Sequence, residues 1–315
     1  MMKEYTDSGK KDTRSGFGAA LAELGNSNPK VLALTADLKG SLKMDQFADE
    51  HPDRFFDAGI AEANMVGMAA GLAIAGYIPF IGTFANFASA RVMDQIRQSV
   101  CYSRTNVKIA ASHAGITLGE DGATHQTLED IGIMRMLPGM VVINPCDYNQ
   151  TRAATLAAAA WDGPVYLRFG RPSVPNFTPE DQVFEIGKAL KLNDGGDVTI
   201  IATGHLVWEA VQAAKELEAR GIHADLLDIH TIKPLDREAV LASVRKTGRV
   251  VVAEEHLIAG GLGEVIAAVL ATACPAPMRL VAIDDEFGQS GKPAELMRTY
   301  GLDAAHIVEA ALSLQ

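Results

Sequence analysis

The segment Asp57-Ala-Gly-Ile-Ala-Glu62-Ala-Asn-Met-Val-Gly-Met-Ala-Ala-Gly71 sets one carboxylate, Glu62, at the start of a stretch built almost wholly of small and apolar residues. Such surroundings solvate a charge poorly, so the pattern predicts a carboxyl group with a raised pKa that can share a proton near neutral pH. The same residues permit a structural role, with Gly59 as N-cap and Glu62 at N3 answering free amides and the helix dipole. A second cluster, His113-Ala-Gly-Ile-Thr-Leu-Gly-Glu-Asp-Gly-Ala-Thr-His-Gln126, gathers three glycines, two histidines and two acids in one connection. His113 and His125 can donate to a substrate oxygen, Asp121 can accept from a hydroxyl, and Thr127 with Asp130 can cap the helix that follows. A polar loop of this length is either functional or simply solvated, and its titratable content favours function. In Thr83-Phe84-Ala-Asn-Phe87-Ala-Ser-Ala90-Arg91, two aromatics three residues apart share a face. They could wall a heteroaromatic ring or pack in a core.

The elements that must position these residues alternate along the chain. Apolar runs at Val31–Thr35, Tyr77–Gly82, Val107–Ser112, Met140–Asn144 and Val165–Phe169 read as strands buried on both faces, as in parallel sheets. Helical stretches are predicted at Arg14–Leu24, Ala63–Ala75, Ala90–Tyr102, Leu128–Met136 and Asp147–Trp161. The histidine-rich loop thus follows a strand and precedes a helix, where open α/β sheets bind ligands. Arg171 to Asp181 carries three prolines without periodicity and reads as a linker. A second alternation follows, with strands at Val198–Thr203, Ala224–Ile229, Val250–Glu254 and Met278–Ile283 and helices between them. The fold class is α/β, with two doubly wound domains at 1–180 and 187–315.

Composition excludes several classes. Of 315 residues, 48% are hydrophobic and 21% charged, as in folded globular domains. The net charge of -11 and the lack of a basic run give nucleic acid or an anionic membrane nothing to bind. No apolar run approaches the ~20 residues of a membrane span, and the N-terminus lacks a signal-peptide core. Cys101, Cys146 and Cys274 are widely separated, which implies reduced thiols and a cytoplasmic setting. No histidine pair has metal-ligand spacing. His51, His205, His223, His230, His256 and His306 read as structural or exposed, and Glu254-Glu255-His256 as the start of a solvated loop.

Together these segments resemble the transketolase family of thiamine-diphosphate enzymes over essentially the whole chain, as a pyrimidine-binding domain followed by a transketolase C-terminal domain. Gly119-Glu-Asp-Gly-Ala-Thr-His-Gln126 resembles the family's GEDGPTHQ loop, and Glu62 stands in a helix entrance of the GxxExxMxGxAxG type. Thr83-Phe84-Ala-Asn-Phe87 is similar to the pyrimidine-stacking segment, and Thr231-Ile-Lys-Pro-Leu-Asp236 to a signature shared with 2-oxo acid dehydrogenase beta subunits. The resemblance implies that Glu62 bonds the pyrimidine nitrogen and promotes the imino form that deprotonates the thiazolium carbon. It places Phe84 and Phe87 against the pyrimidine ring and His125 and Asp121 on the ketose donor. Arg14, Ser41, His113 and Arg171 match phosphate-binding positions, a task suited to the guanidinium fork. Asp37 matches an interface aspartate.

The departures matter too. Ala123 replaces the loop proline, Arg168 competes with Arg171 as the phosphate contact, and Ala90 stands where the family often has tyrosine, so that Arg91 approaches the pyrimidine pocket instead. The Gly-Asp-Gly motif that marks the family's diphosphate-binding domain is missing, and no hard-oxygen ligand set for Mg2+ is recognisable. The resemblance therefore implies the C-terminal subunit of a split transketolase, a glycolaldehydetransferase of the pentose phosphate type. An N-terminal partner would hold the diphosphate and Mg2+ in an α2β2 heterotetramer acting on sugar phosphates. Rival readings are a 2-oxo acid dehydrogenase beta subunit, a 1-deoxyxylulose 5-phosphate synthase fragment and a non-catalytic scaffold subunit.

Overall fold

The computed structural model describes residues 4–315. In chain order its strands are β1 (Lys11–Asp12), β2 (Val31–Thr35), β3 (Phe55–Asp57), β4 (Ile78–Phe84), β5 (Lys108–Ser112), β6 (Val141–Ile143) and β7 (Val165–Arg168). They continue with β8 (Ser173–Val174), β9 (Leu190–Asp194), β10 (Val198–Ala202), β11 (Ala224–Asp228), β12 (Thr231–Lys233), β13 (Val250–Leu257) and β14 (Met278–Ile283). Among the described residues, one sheet runs β12-β6-β7-β5-β4-β2-β3 and a second β14-β13-β10-β11-β9. The pairs within β3, β2, β4, β5, β7 and β6 are parallel, as are those among β11, β10, β13 and β14. Every residue of β2, β5, β7 and β10 is buried, which is why these runs are apolar at consecutive positions. Only the edge strands β12 and β9 pair antiparallel within the two sheets.

Helices cover both faces. On one side of the first sheet the helix Thr13–Ser27 lies against Tyr148–Ala160 over Phe17, Phe80, Leu167 and Phe169. That approach depends on Gly16, where an added Cβ would stand 2.3 Å from the Tyr148 carbonyl oxygen. The helix Tyr148–Ala160 ends over Lys108, whose buried Nζ donates to the carbonyl oxygens of Trp161 (2.6 Å) and Gly163 (2.7 Å). On the other face a continuous apolar core joins the two halves of the chain, from Leu34 and Ile109 through Ile201 and Leu227 to Val252 and Ile266. Burying a residue of this kind stabilises the fold by about 1.5–3 kcal/mol.

The structure differs from the sequence reading at several points. The stretch Ala90–Tyr102 is one helix in expectation but three in fact, a 3-10 turn Ala90–Val92, a turn at Met93–Gln95 and a π-helix Ile96–Tyr102. The proline-rich linker is pinned: β8 pairs with β1, and the amides of Phe177 and Thr178 donate to Asp147 at 2.9 and 2.7 Å. Thr231-Ile-Lys-Pro-Leu-Asp236 supplies β12, a strand from the second half that completes the edge of the first sheet. Its Lys233 caps the helix Asp130–Met136 by donating to the carbonyls of Arg135 and Leu137 at 2.8 and 2.6 Å. Glu254-Glu255-His256 continues β13 and is buried rather than solvated, because these side chains have polar partners inside. Glu254 accepts from the amides of Leu262 and Gly263, both at 2.7 Å, at the start of the helix Leu262–Ala273. The other histidines divide: His205, His230 and His256 are largely buried, and His223 and His306 stand about half exposed.

Candidate active site

The parallel strands β2, β4, β5 and β7 release their chains on one side of the first sheet, and the candidate residues follow from those ends. Register does much of the positioning. Phe84, last in β4, pairs with Ser112, last in β5, so His113 emerges beside the Phe84 ring. The two rings stack with centroids 3.9 Å apart. Phe84 also stacks on Phe87 at 5.8 Å with 20° between planes, and His125 meets Phe87 edge-on at 5.6 Å. Phe84 and Phe87 therefore form a continuous, partly exposed wall, with Phe84 also resting against the core of the first sheet.

Glu62 opens the helix Glu62–Ile74 and is buried at 5% exposure. The capping-box alternative is not what forms: the N-cap is Ala61, without a side-chain hydrogen bond, and Glu62 is the first helical residue. Nor is the acid isolated, as its apolar neighbours in sequence suggested. Arg91 Nη1 donates to Glu62 Oε1 at 2.9 Å, and the same guanidinium lies 3.9 Å from the Phe87 ring centre. Glu62, Arg91, Phe87, Phe84, His113 and His125 thus form one line of contacts.

His113 links this line to a second group. Its backbone is left-handed (φ 59°) and its Nδ1 is hydrogen-bonded to Ser112 Oγ at 2.7 Å. Burial, with the nearby charges of Arg14 and Arg171, pushes its pKa down to about 3, so the ring is neutral at physiological pH. Arg14 donates to the backbone carbonyl of Ser41 at 3.1 Å and pairs with Asp12 at 3.3 Å. Burial lowers its pKa, with Asp12 opposing and Arg171 adding to the effect. Arg171, with its side chain 40% exposed, donates to the Leu118 carbonyl (2.8 Å) and to Glu120 (3.1 Å). The two cations lie close enough to disfavour each other, and each also has a carboxylate partner, Asp12 and Glu120. Asp121 stands exposed at the outer turn of the loop. Asp37, also exposed and left-handed (φ 59°), donates its amide to Asp57.

The loop 113–126 is held from several sides. Gln126 Nε2 donates to the carbonyls of Ile116, Gly119 and Gln289 at 3.0, 3.2 and 2.9 Å, and Asn86 donates to the Thr124 carbonyl at 2.9 Å. The Thr117 amide donates to Glu255 at 2.7 Å, and Gly115 (φ 79°) could not carry a Cβ, which would fall 2.1 Å from Glu255 Oε1. Thr127 and Asp130 do not cap the next helix, which begins after Glu129 without a side-chain cap. Asp130 instead lies wholly buried with Arg168 (2.9 Å) and the Tyr166 hydroxyl (2.8 Å). Arg168 is thereby buried and paired inside the protein, whereas Arg171 is 40% exposed. Sequence reasoning missed this network and the role of Gln126; a polar run continuing straight out of an apolar strand at Glu254–His256 was its one visible sign.

The fit to the expected cofactor is one-sided. A buried carboxylate beside a flat aromatic wall suits an aminopyrimidine. For the metal, no group of three His, Cys, Asp or Glu among the described residues could hold an ion. Among them, also, no helix is long and apolar enough to cross a membrane.

Comparison with known proteins assigns two domains. Residues 9–176 match the transketolase pyrimidine-binding domain and residues 187–307 the transketolase C-terminal domain. The 6-deoxy-6-sulfo-D-fructose transketolase subunit SqwH of a Clostridium strain is 47% identical over 95% of this chain and 92% of its own. One subunit of the apulose-4-phosphate transketolase of Phocaeicola vulgatus is 40% identical, over 95% of this chain and 96% of its own. A solved structure described as a split gene transketolase, inactive beta4 tetramer, superposes with a TM-score of 0.91 at 48% identity, covering 96% of this chain and 98% of that one. The chain belongs to the transketolase family, as the C-terminal (beta) subunit of a split transketolase.

Proposed function

We propose that this subunit, joined to an N-terminal partner in an α2β2 heterotetramer, transfers a two-carbon ketol unit from a ketose phosphate to an aldose phosphate. The observation that carries the reading is the buried Glu62 carboxylate joined through Arg91 to the Phe84–Phe87 wall. Bound thiamine diphosphate supplies the nucleophilic carbon and the electron sink for the two-carbon fragment. Glu62 holds a proton at the pyrimidine ring nitrogen, and Phe87 and Phe84 cover the ring face and exclude water. His125, beside Phe87, contacts the donor's carbonyl or terminal hydroxyl, and Asp121 the next hydroxyl. Neutral His113 donates or accepts a hydrogen bond without adding charge. Arg14 and Arg171, with Ser41, take the substrate phosphate, in keeping with their mutual repulsion across His113.

The diphosphate and Mg2+ fall to the partner. The helix Glu62–Ile74 keeps an outward face of Ala63, Asn64, Gly67, Gly71 and Ile74, with Ile60 exposed just ahead of it, which suits close docking of another subunit. The relatives act on different sugars by name, so the donor is either a pentose phosphate pathway ketose or a specialised one such as a sulfosugar or apulose phosphate. Free Cys101, Cys146 and Cys274 suit a reducing cytoplasm. The test is reconstitution: the chain is mixed with its partner, thiamine diphosphate and Mg2+, a ketose phosphate donor and an aldose phosphate acceptor, and release of the shortened aldose is followed. Turnover is expected only in the mixture, with sedimentation showing a heterotetramer. Full activity of this chain alone would refute the need for a partner.

A further inference from the structure

The two surfaces that an aminopyrimidine needs here are already in use by one side chain. The Arg91 guanidinium is flat, delocalised and rich in N–H donors. It lies 3.9 Å from the Phe87 ring centre, the spacing of a stacked heterocycle, and donates to Glu62 Oε1 at 2.9 Å. Among the described residues the rings in contact with Phe87 are those of Phe84 and His125, and Arg91 is the side chain that touches both Phe87 and Glu62. A pyrimidine that stacks on Phe87 and bonds Glu62 cannot share that layer with the guanidinium. One must leave.

We propose that Arg91 is a displaceable placeholder for the aminopyrimidine, satisfying Glu62 and Phe87 until the cofactor arrives and swinging outward when it binds. The proposal rests on the assignment of Glu62 and Phe87 to the pyrimidine. Its physical logic has two sides. Glu62, 6% exposed at the side chain, would be a buried charge without a counter-ion if Arg91 were absent. Arg91 is itself 50% exposed, and an ion pair with one member in water is a weak latch. Its backbone sits on the single 3-10 turn Ala90–Val92, where the predicted helix is interrupted, with Ala90 and Arg91 on the exposed side. The side chain therefore has an open way out, and its departure need not disturb the core.

The test uses the reconstituted complex with Mg2+ and measures thiamine diphosphate binding by calorimetry and by stopped flow, not by turnover. Arg91→Met keeps an unbranched apolar stem but removes the guanidinium with its charge and donors, and Arg91→Lys keeps the charge without the flat face. Arg91→Met is expected to raise cofactor affinity about tenfold and to speed association, with Arg91→Lys intermediate. It should also lower the melting temperature of the cofactor-free subunit while enlarging the rise produced by the cofactor, a pairing that a purely structural arginine would not give. Weaker or unchanged binding in Arg91→Met overturns the placeholder, since the guanidinium would then be a clamp on the bound cofactor or would not compete with it. Phe87→Ala and Glu62→Gln separate the two levels of inference. If neither weakens binding, the pyrimidine site itself is misassigned and the placeholder falls with it; if both weaken it, an Arg91 failure concerns Arg91 alone.

Discussion

Arg168 and Arg171 stand three residues apart at the end of one strand and have opposite fates. Arg168, with its side chain 3% exposed, places Nε on both oxygens of the fully buried Asp130, at 2.9 and 3.1 Å, and Nη2 on the Glu255 carbonyl at 2.9 Å. Arg171 is held by one carbonyl and one exposed carboxylate, both through Nη1, and lies close enough to His113 for its charge to act there together with that of Arg14. The seam between the two halves of the chain consumes its charges, whereas the face beyond the strand ends keeps them available. Charge that is fully paired inside organises the fold, and charge left partly exposed is what the proposed phosphate role of Arg171 draws on.

That contrast can be broken by substitutions with opposite signatures. Glu62→Ala should give the largest effect, a loss of turnover of about 10²–10⁴-fold in the reconstituted enzyme, the range for removing a positioned proton-handling group. Its unfolding midpoint should stay close to that of the unaltered chain, because the released Arg91 is half in water. Retained turnover would sink the proton role. Arg168→Met should do the reverse. It strands Asp130 in the interior with only Tyr166, at a cost of about 3–5 kcal/mol in urea unfolding. Adding Asp130→Leu should restore part of that loss in a double-mutant cycle. Arg171→Ala belongs to the first class and is milder. KM for a phosphorylated acceptor should rise about tenfold, equivalent to about 1.4 kcal/mol, with little change for an unphosphorylated sugar. Stability should move by less than about 0.5 kcal/mol. An equal loss for both sugars would remove Arg171 from phosphate recognition.

The two regions also differ in how far the sequence reveals them. The consecutive apolar runs named the central strands because parallel strands have no wet face. The glycine- and histidine-rich loop and the acid at a helix start were visible because such residues are rare in those surroundings. The seam was not legible. Arg168 meets Asp130 and Glu255, 38 and 87 positions away, and nothing local marks those partners. Polar residues at the end of an apolar strand look solvated until the second sheet is known to cover them. The Thr231–Asp236 signature was recognised, yet its work as an edge strand of the other sheet depends on pairing that no periodicity encodes. Likewise, the ion pair of Glu62 with Arg91 spans 29 positions and follows from the broken helix at Ala90–Val92.

The smallest effect comes from a poorly satisfied acid of the seam. Asp228 ends β11, fully buried, where Oδ2 accepts from Gln150 of the first half at 2.6 Å and Oδ1 has no partner. Burial pushes its pKa up to about 7, with the Gln150 bond opposing and Asp147 adding. Tyr5 and Cys146 also feel its charge, and burial is the main reason that both have raised pKa values. Because the folded value lies above the unfolded one of about 3.9, the native state holds a proton that the unfolded chain has released. Stability therefore falls as pH rises from about 4 to about 7 and levels off above, where both states are ionised. Asp228→Asn keeps an acceptor for Gln150 and removes the titration. It should leave stability near pH 4 almost unchanged and raise it by about 1 kcal/mol or more at pH 7.5, within the span attributed to a buried polar group lacking a partner. Urea unfolding at the two pH values measures this directly. A gain of equal size at both would mean that the carboxyl does not titrate in this window.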